Sequence, residues 1–167
     1  DALVSTLRNG KRSAKGPSPM NDRESRSAPF RSHGRIECRR DGRVIHTEAT
    51  GPFNVESVRS YGRNLAALVA ELPEGCPFVV IARMTGSILA PLDAWAALEA
   101  GVRQRQGGTR RQLGSGWVLA DDLEGRGLFV PKARAIYESM GIGFGAFDRA
   151  DDAEAWADGL LTGHDGR

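Results

Sequence analysis

The sequence predicts one α/β domain with a mostly parallel five-stranded sheet that begins with an antiparallel hairpin. An alternating polar and apolar segment with a two-residue turn signal marks the hairpin. After it, short apolar segments alternate with longer segments of helical spacing, which is typical of parallel sheets with right-handed crossovers. The chain has 167 residues, 40% of them hydrophobic, which is enough for one buried core. The predicted element order is β-β-α-β-α-β-α-β-α.

The first 34 residues differ in composition from the rest. They are rich in Ser, Pro, Gly, Asn and Arg, and their apolar residues have no sustained period. We therefore predict a disordered basic tail over residues 1–34, the α/β domain over 35–162 and a disordered C-terminus over 163–167. Because Met20 lies inside the tail, we expect it to be the natural start, with residues 1–19 not native.

Charge separates the tail from the body as well. Residues 1–43 contain 11 Lys or Arg against 5 Asp or Glu, whereas residues 44–167 contain 12 against 16. The sequence pI of about 8.8 therefore reflects the tail and the first strand. A mildly acidic body argues against a nucleic-acid-binding face, and no nucleic acid partner is expected.

Other compositional features indicate the compartment. The longest purely apolar run is Phe78–Ala82, far short of the roughly 20 residues that cross a bilayer. The N-terminus lacks the apolar segment of a secretory signal. Cys38 and Cys76 are too few for a disulfide scaffold or a cysteine metal site. We expect a cytoplasmic protein without a transmembrane segment, cofactor or metal.

The predicted hairpin has Asp41-Gly42 at its tip, because type I′ turns favour this dipeptide. This register places Arg40 opposite Arg43, Cys38 opposite Ile45, Glu37 opposite His46, Ile36 opposite Thr47 and Arg35 opposite Glu48. Ile36, Cys38, Ile45 and Ala49 then share one face. His46 is interpreted as a cross-strand partner of Glu37 rather than a catalytic group.

The first helix and the third strand follow the hairpin. Gly51-Pro52 ends the second strand, and Asn54 is placed to cap a helix whose apolar residues recur at helical spacing up to Leu72. Phe78–Ala82 is continuous and apolar, which predicts a strand buried on both faces.

The remaining elements are assigned by the same rules. They are a helix over Leu89–Arg105 with Leu92, Trp95, Ala96, Leu98 and Val102 facing the core, a strand over Trp117–Ala120, a helix over Leu128–Met140, a strand over Phe144–Phe147 and a helix from Asp151 or Asp152. Gly114 and Gly116, like the glycines of Gly141–Gly145, are interpreted as turn and cap residues, since no phosphate-loop pattern surrounds them.

Several segments carry a family pattern together with this order. The first helix ends in Val-Ala-Glu-Leu-Pro, the third strand reads Phe-Val-Val-Ile-Ala, and the last part reads Phe-Asp…Asp-Ala-Glu-Ala-Trp. Over Arg35–Leu161 the chain resembles the SpoIIAA-like group, which includes the STAS domains of anti-sigma-factor antagonists and STAS/SEC14-like single-domain bacterial proteins. The resemblance implies a SpoIIAA-like fold and a non-catalytic regulatory or protein-interaction module. The alternative is a small-ligand or lipid-binding module of SEC14-like type.

The resemblance also implies where a function would lie. STAS antagonists have a phosphorylatable Ser or Thr after the third strand, at a helix N-terminus. The matching stretch here is Arg83–Ser87, with Thr85 and Ser87 as the hydroxyl residues, although Arg83-Met84 replaces the acidic residue of the family. We expect either a phospho-switch or partner surface here, or ordinary loop and capping residues.

Other candidate sites have a structural alternative. Arg103, Arg105, Arg110 and Arg111 form a basic cluster that either stabilises a helix C-terminus or contacts an anion, from a lipid headgroup or a nucleic acid. Asp121-Asp122 follows a strand and is interpreted as a solvated loop rather than a Mg²⁺ site. Neither cysteine has an evident base partner, and no catalytic residue is assigned. An unknown protein partner is expected, while a homodimer and a peripheral lipid contact stay open.

Overall fold

The structure, a computed structural model, describes residues 33–166. Its elements are β1 (Arg35–Asp41), β2 (Val44–Thr50), α1 (Val55–Ala70), β3 (Phe78–Thr85), α2 (Leu92–Gln106), β4 (Gln112–Leu119), α3 (Arg126–Glu138), β5 (Gly143–Phe147) and α4 (Ala150–Asp165). The sheet order is β1-β2-β3-β4-β5, with β1 antiparallel to β2 and the other pairs parallel. The predicted fold class is confirmed. The predicted tail lies outside the described residues, except for His33 and Gly34.

The two faces of the sheet are covered unequally. Alternate side chains of β3 belong to different clusters: Val80 packs with residues of α1, and Ile81 packs with residues of α4. The core residues of α2 and α3 lie on the same face as α1, where they pack around Trp117. Three helices therefore cover one face and α4 covers the other, which is why β3 is buried on both faces, as predicted.

The predicted hairpin register is wrong, because the two central residues of the turn lie one position further along the chain than predicted. Asp41 pairs with Val44, and Cys38 pairs with Thr47. Gly42, at φ +55°, takes a central turn position, so the turn is centred on Gly42 and Arg43 instead of Asp41 and Gly42. The paired residues change by two, which keeps each side chain on its predicted face.

His46 consequently changes its partner. Its backbone pairs with Arg39, and its Nδ1 atom lies 3.4 Å from Glu154 Oε1 in α4. Glu37, the predicted partner, contacts Arg35 of its own strand at 2.6 Å. His46 therefore joins the sheet to α4.

The predicted N-cap of α1 is confirmed. Asn54 Oδ1 accepts a hydrogen bond from Ser57 N at 3.0 Å, and Ser57 Oγ accepts one from Asn54 N at 3.0 Å. These two bonds form a reciprocal capping box, which satisfies backbone donors that the helix itself leaves without partners.

Asn54→Ala is expected to lower the free energy of unfolding by about 0.5–2 kcal/mol, because Ser57 N and His33 N both donate to the lost side-chain oxygen. Urea unfolding followed by circular dichroism measures this change. Asn64→Ala, at an exposed interior position of the same helix, is the control and should not destabilise. Equal effects of the two substitutions would contradict the role of the cap.

Helix boundaries differ from those predicted by up to three residues: α3, for example, covers Arg126–Glu138 instead of Leu128–Met140. Helix α2 begins at Leu92, with Pro91 as its N-cap, and Leu92 is 78% exposed rather than in the core. Ala96 is exposed too. Helix α4 continues to Asp165, three residues beyond the boundary predicted at residue 162. Asp165 forms a bidentate ion pair with Arg43 at 2.6 and 2.8 Å, and this pairing lowers the pKa of the carboxyl group.

The interpretation of Gly114 and Gly116 as turn residues is wrong, and Gly143 and Gly145 also lie in strands. All four face Trp156 of α4: a Cβ atom built on any of them would come within 3.5 Å of its indole ring. Because these glycines have no side chains, the indole ring of Trp156 packs directly against the backbone of β4 and β5. Among the glycines of that stretch, Gly141 keeps its predicted place after a helix, at φ +70°.

Candidate functional site

The candidate site lies at the carboxyl ends of the parallel strands. The segment after β3 is tied to its neighbours by backbone hydrogen bonds. Gly51 N donates to Thr85 O at 3.3 Å, Glu124 N donates to Gly86 O at 3.0 Å, and Ile88 N donates to Glu124 O at 3.0 Å. These bonds bring the residues before α2 and the residues before α3 side by side.

The three predicted residues of this segment are not equally accessible. Ser87 is 5% exposed, and its Oγ accepts a hydrogen bond from Leu89 N at 3.1 Å. Thr85 is partly buried, and its Oγ1 lies 2.8 Å from Thr50 Oγ1. Arg83 is exposed in β3, on the same face as Ile81 and α4. Because α2 begins only at Leu92, neither hydroxyl lies at a helix N-terminus, contrary to expectation.

Exposed apolar side chains follow this segment and the neighbouring segment before α3. Leu89, Leu92 and Leu128 are the large hydrophobic residues exposed in the described chain, at 38%, 78% and 70%. Leu92 and Leu128 occupy the first turns of α2 and α3, whose preceding segments are hydrogen-bonded to each other. We call these three leucines the leucine edge. Sequence analysis placed Leu92 in the core and therefore missed it.

An apolar cavity of about 70 Å³ lies between the sheet and helices α1 and α2. Its lining is mainly aliphatic and aromatic, including Met84, Trp95 and Trp117. Trp95 also stacks on Phe129 of α3 at 5.2 Å between ring centroids. Small-molecule sites have volumes of roughly 300–1,000 Å³, so this apolar cavity is too small to be one.

Burial suppresses ionisation of two tyrosines that line the cavity and of a cysteine beside one of them. It raises the pKa of Tyr61 and of Tyr137. It also raises the pKa of the Cys38 thiol, whose sulfur lies 3.6 Å from Thr47 Oγ1. A thiol that is harder to deprotonate is a poorer nucleophile, which agrees with a structural role for Cys38. Cys76 Sγ contacts Pro77 O at 3.6 Å.

The four arginines of the predicted basic cluster lie in different surroundings. Arg103 is ion-paired with Glu99 at 2.9 Å, and Arg111 is exposed just before β4. Arg105 and Arg110 instead line a cleft between α1 and α2, which we call the α1/α2 cleft. Sequence analysis missed Arg59 and Arg63, which line the same cleft from α1; their helical spacing of four was the available signal.

The predicted acidic pair lies at the surface of the domain. Asp121 and Asp122 are exposed in the loop after β4. Within residues 33–166, no group of three or more His, Cys, Asp or Glu side chains could hold a metal ion. No helix in that part of the chain is long and apolar enough to cross a membrane.

Comparisons with known proteins identify the fold. No protein-family profile matches the chain, and no curated protein matches it. A solved structure of an uncharacterised DUF3478-family protein with a SpoIIAA-like fold, from Shewanella loihica PV-4, matches with a TM-score of 0.51 and 14% identity, over 78% of this chain and 98% of that one. An anti-sigma factor antagonist from Mycobacterium paratuberculosis has a TM-score of 0.48 and 17% identity, over 79% and 98%. The first likeness shows that the chain has the SpoIIAA-like fold that its order of elements predicts.

Proposed function

We propose that this domain is a non-catalytic, regulatory protein-interaction module that binds a protein partner through the leucine edge. The observation that carries the proposal is the exposure of Leu89, Leu92 and Leu128 in two segments that are hydrogen-bonded to each other at one end of the sheet. Large apolar side chains that are exposed together favour a binding surface, because their transfer out of water stabilises a complex.

The surroundings of the leucine edge favour a rigid docking surface. Backbone hydrogen bonds link Gly86 and Ile88 to Glu124, so the loop before α2 is held against the loop before α3. Gly125, at φ +83°, allows Leu89 and Phe129 to approach the backbone closely. A preformed surface loses less conformational entropy on binding than a mobile loop does.

The chemistry of the same region does not favour catalysis. The Ser87 hydroxyl is buried and hydrogen-bonded to backbone, and the nearest partner of Thr85 is another hydroxyl. Neither contact supplies the base that a nucleophilic hydroxyl needs. Thr85 is the better candidate for regulation by phosphorylation, since its side chain is less buried than that of Ser87. A phosphate there would place negative charge beside the leucine edge.

Site-specific photocrosslinking tests the proposed surface. A benzophenone amino acid at Leu92 is expected to capture a discrete protein in an extract of the source organism. The same probe at Ala155, exposed on α4 at the opposite face of the sheet, should not capture it. Unlabelled wild-type protein should compete with capture, whereas the Leu92→Ser/Leu128→Ser variant should compete at least about tenfold less well. Equal capture from both positions, or equal competition by both proteins, would refute the proposal.

A further inference from the structure

The α1/α2 cleft is separate from the leucine edge. It has a volume of about 890 Å³ and is lined by residues from Val58 to Ala70 in α1 and from Asp93 to Arg105 in α2, together with residues 108–110. None of the three exposed leucines lines it. Both helices follow parallel strands on one face of the sheet, so they run in the same direction. The lined stretch of each helix is about 18 Å long at 1.5 Å per residue.

Small side chains form the floor of the cleft. Both helices contribute glycine and alanine where larger residues would close the gap. These residues are Gly62, Ala66, Ala70, Ala96, Ala97, Ala100 and Gly101. Ala66, Ala70, Ala96 and Ala100 are exposed. Such a floor admits the close approach of another helix, since interaxial distances of about 8–10 Å depend on the side chains at the contact.

The charge of the cleft is opposite to that of the domain. Four arginines line it, at positions 59, 63, 105 and 110, against one carboxylate, Asp93. Residues 33–166 as a whole contain 15 Lys or Arg against 18 Asp or Glu. Arg59 and Arg63 are exposed, and neither is ion-paired with another described residue. The cleft is therefore a local basic surface on an acidic domain.

Arg105 adds a positive charge beneath this surface. Its Nε and Nη2 atoms are buried and have no hydrogen-bond partner among the described residues. Its Nη1 atom lies beside Gly101, where a Cβ atom would come within 3.4 Å of it. These two nitrogens are enclosed on the core side, where Arg105 interacts electrostatically with Tyr61, Tyr137 and Cys38, so Arg105 adds positive potential beneath the cleft and does not contact a ligand there.

We propose that the α1/α2 cleft binds an acidic amphipathic helix of a partner protein. The apolar stripe of that helix packs on the alanine and glycine floor, and its Glu or Asp side chains pair with the exposed Arg59 and Arg63. The length of the cleft fits a helix of about 12–15 residues. A nucleic acid fits less well, because the surrounding domain is acidic and the cleft has no aromatic side chain for base stacking.

The probe for this proposal is a synthetic, capped peptide of about 15 residues with a Leu and Ala stripe flanked by Glu. Titration into ¹⁵N-labelled protein is expected to shift the amide signals of Ala66, Ala97 and Ala100. Arg59→Glu/Arg63→Glu should weaken binding at least about tenfold, since two attractions become repulsions. Binding should also weaken as NaCl rises from about 0.05 to 0.5 M.

Matched variants separate charge from shape. Arg39→Glu/Arg111→Glu makes the same charge change at exposed positions outside the cleft and should leave peptide affinity within about twofold. Ala100→Phe fills the floor without changing charge and should abolish binding, while thermal unfolding confirms that the variant is folded. Leu92→Ser/Leu128→Ser should bind the peptide normally, which makes this proposal independent of the leucine edge.

The opposite outcomes would overturn the proposal. These are no shifts in the cleft, equal binding of a scrambled peptide of the same composition, or equal weakening by the cleft and control arginine variants. Anionic phospholipid vesicles and a single-stranded RNA oligonucleotide are tested in parallel. Binding of either one at the cleft residues, without binding of the acidic peptide, would assign the cleft to that ligand and refute the helix.

Discussion

Replacing the partly buried Trp156 by alanine is expected to lower the free energy of unfolding by about 3 kcal/mol, at the lower end of the range for buried aromatic residues. The indole ring of Trp156 lies on the glycines of β4 and β5, and Phe147 packs beside it at 5.5 Å between ring centroids. Glycines have no side chains that could rotate into the space that the ring leaves. A gap that is open to solvent on one side would remain between α4 and the sheet, and chemical denaturation with tryptophan-independent detection measures its cost.

Two controls test this explanation. Thr162→Ala, at an exposed position of α4, should change stability by no more than about 0.5 kcal/mol. Gly114→Ala alone should destabilise, since its Cβ would lie 2.7 Å from Trp156 Cη2 and 2.6 Å from Leu160 Cδ1. In the Trp156→Ala background the same substitution should cost clearly less, because one of the two clashes is absent. Additive effects of Gly114→Ala and Trp156→Ala would contradict the packing described here.

Gly51→Ala is expected to destabilise the domain by about 3 kcal/mol, at the upper end of the range for overpacked sites. A Cβ atom at this position would lie 1.9 Å from the backbone oxygen of Ser87. The backbone determines the positions of both the added Cβ atom and the Ser87 oxygen, so no side-chain rotation relieves the clash. The segment after β3 would have to move, and the amide signals of Thr85–Leu89 are expected to shift with it.

Gly62→Ala is the matched control for Gly51→Ala. Gly62 lies inside α1, and nothing comes within 4 Å of a Cβ atom built there. The same chemical change should therefore stabilise the protein by up to about 1 kcal/mol, through helix propensity alone. Opposite signs for the two substitutions support the close contact of Gly51 with Ser87. A destabilisation of less than about 0.5 kcal/mol at Gly51 would refute it.

Local sequence patterns predicted the structure correctly where it depends only on residues that are close together in the sequence. The capping box at Asn54 and Ser57 needs only neighbouring residues, and the apolar run from Phe78 reports burial on both faces. The faces of the hairpin were also predicted correctly, because a register change of two residues leaves each side chain on the same face of the sheet. The predicted register was wrong, since the Asp41-Gly42 dipeptide alone does not specify which residues take the central turn positions.

Other features depend on residues that are distant in sequence. Gly114 and Gly145 resemble turn glycines until Trp156 is placed above them. The exposure of Leu92 follows from where α2 begins over the sheet, which helical periodicity alone does not determine. The α1/α2 cleft needs two helices side by side, so neither Arg59 nor Arg105 signals it separately.

The sequence by itself therefore determined the α/β class and the order of elements, because hydrophobic period and capping are encoded within short windows. Only the tertiary structure decided the strand order, the distribution of helices between the two faces, the leucine edge and the basic cleft. These depend on which elements pack together, and the free energy of that packing comes from contacts between residues far apart in the chain.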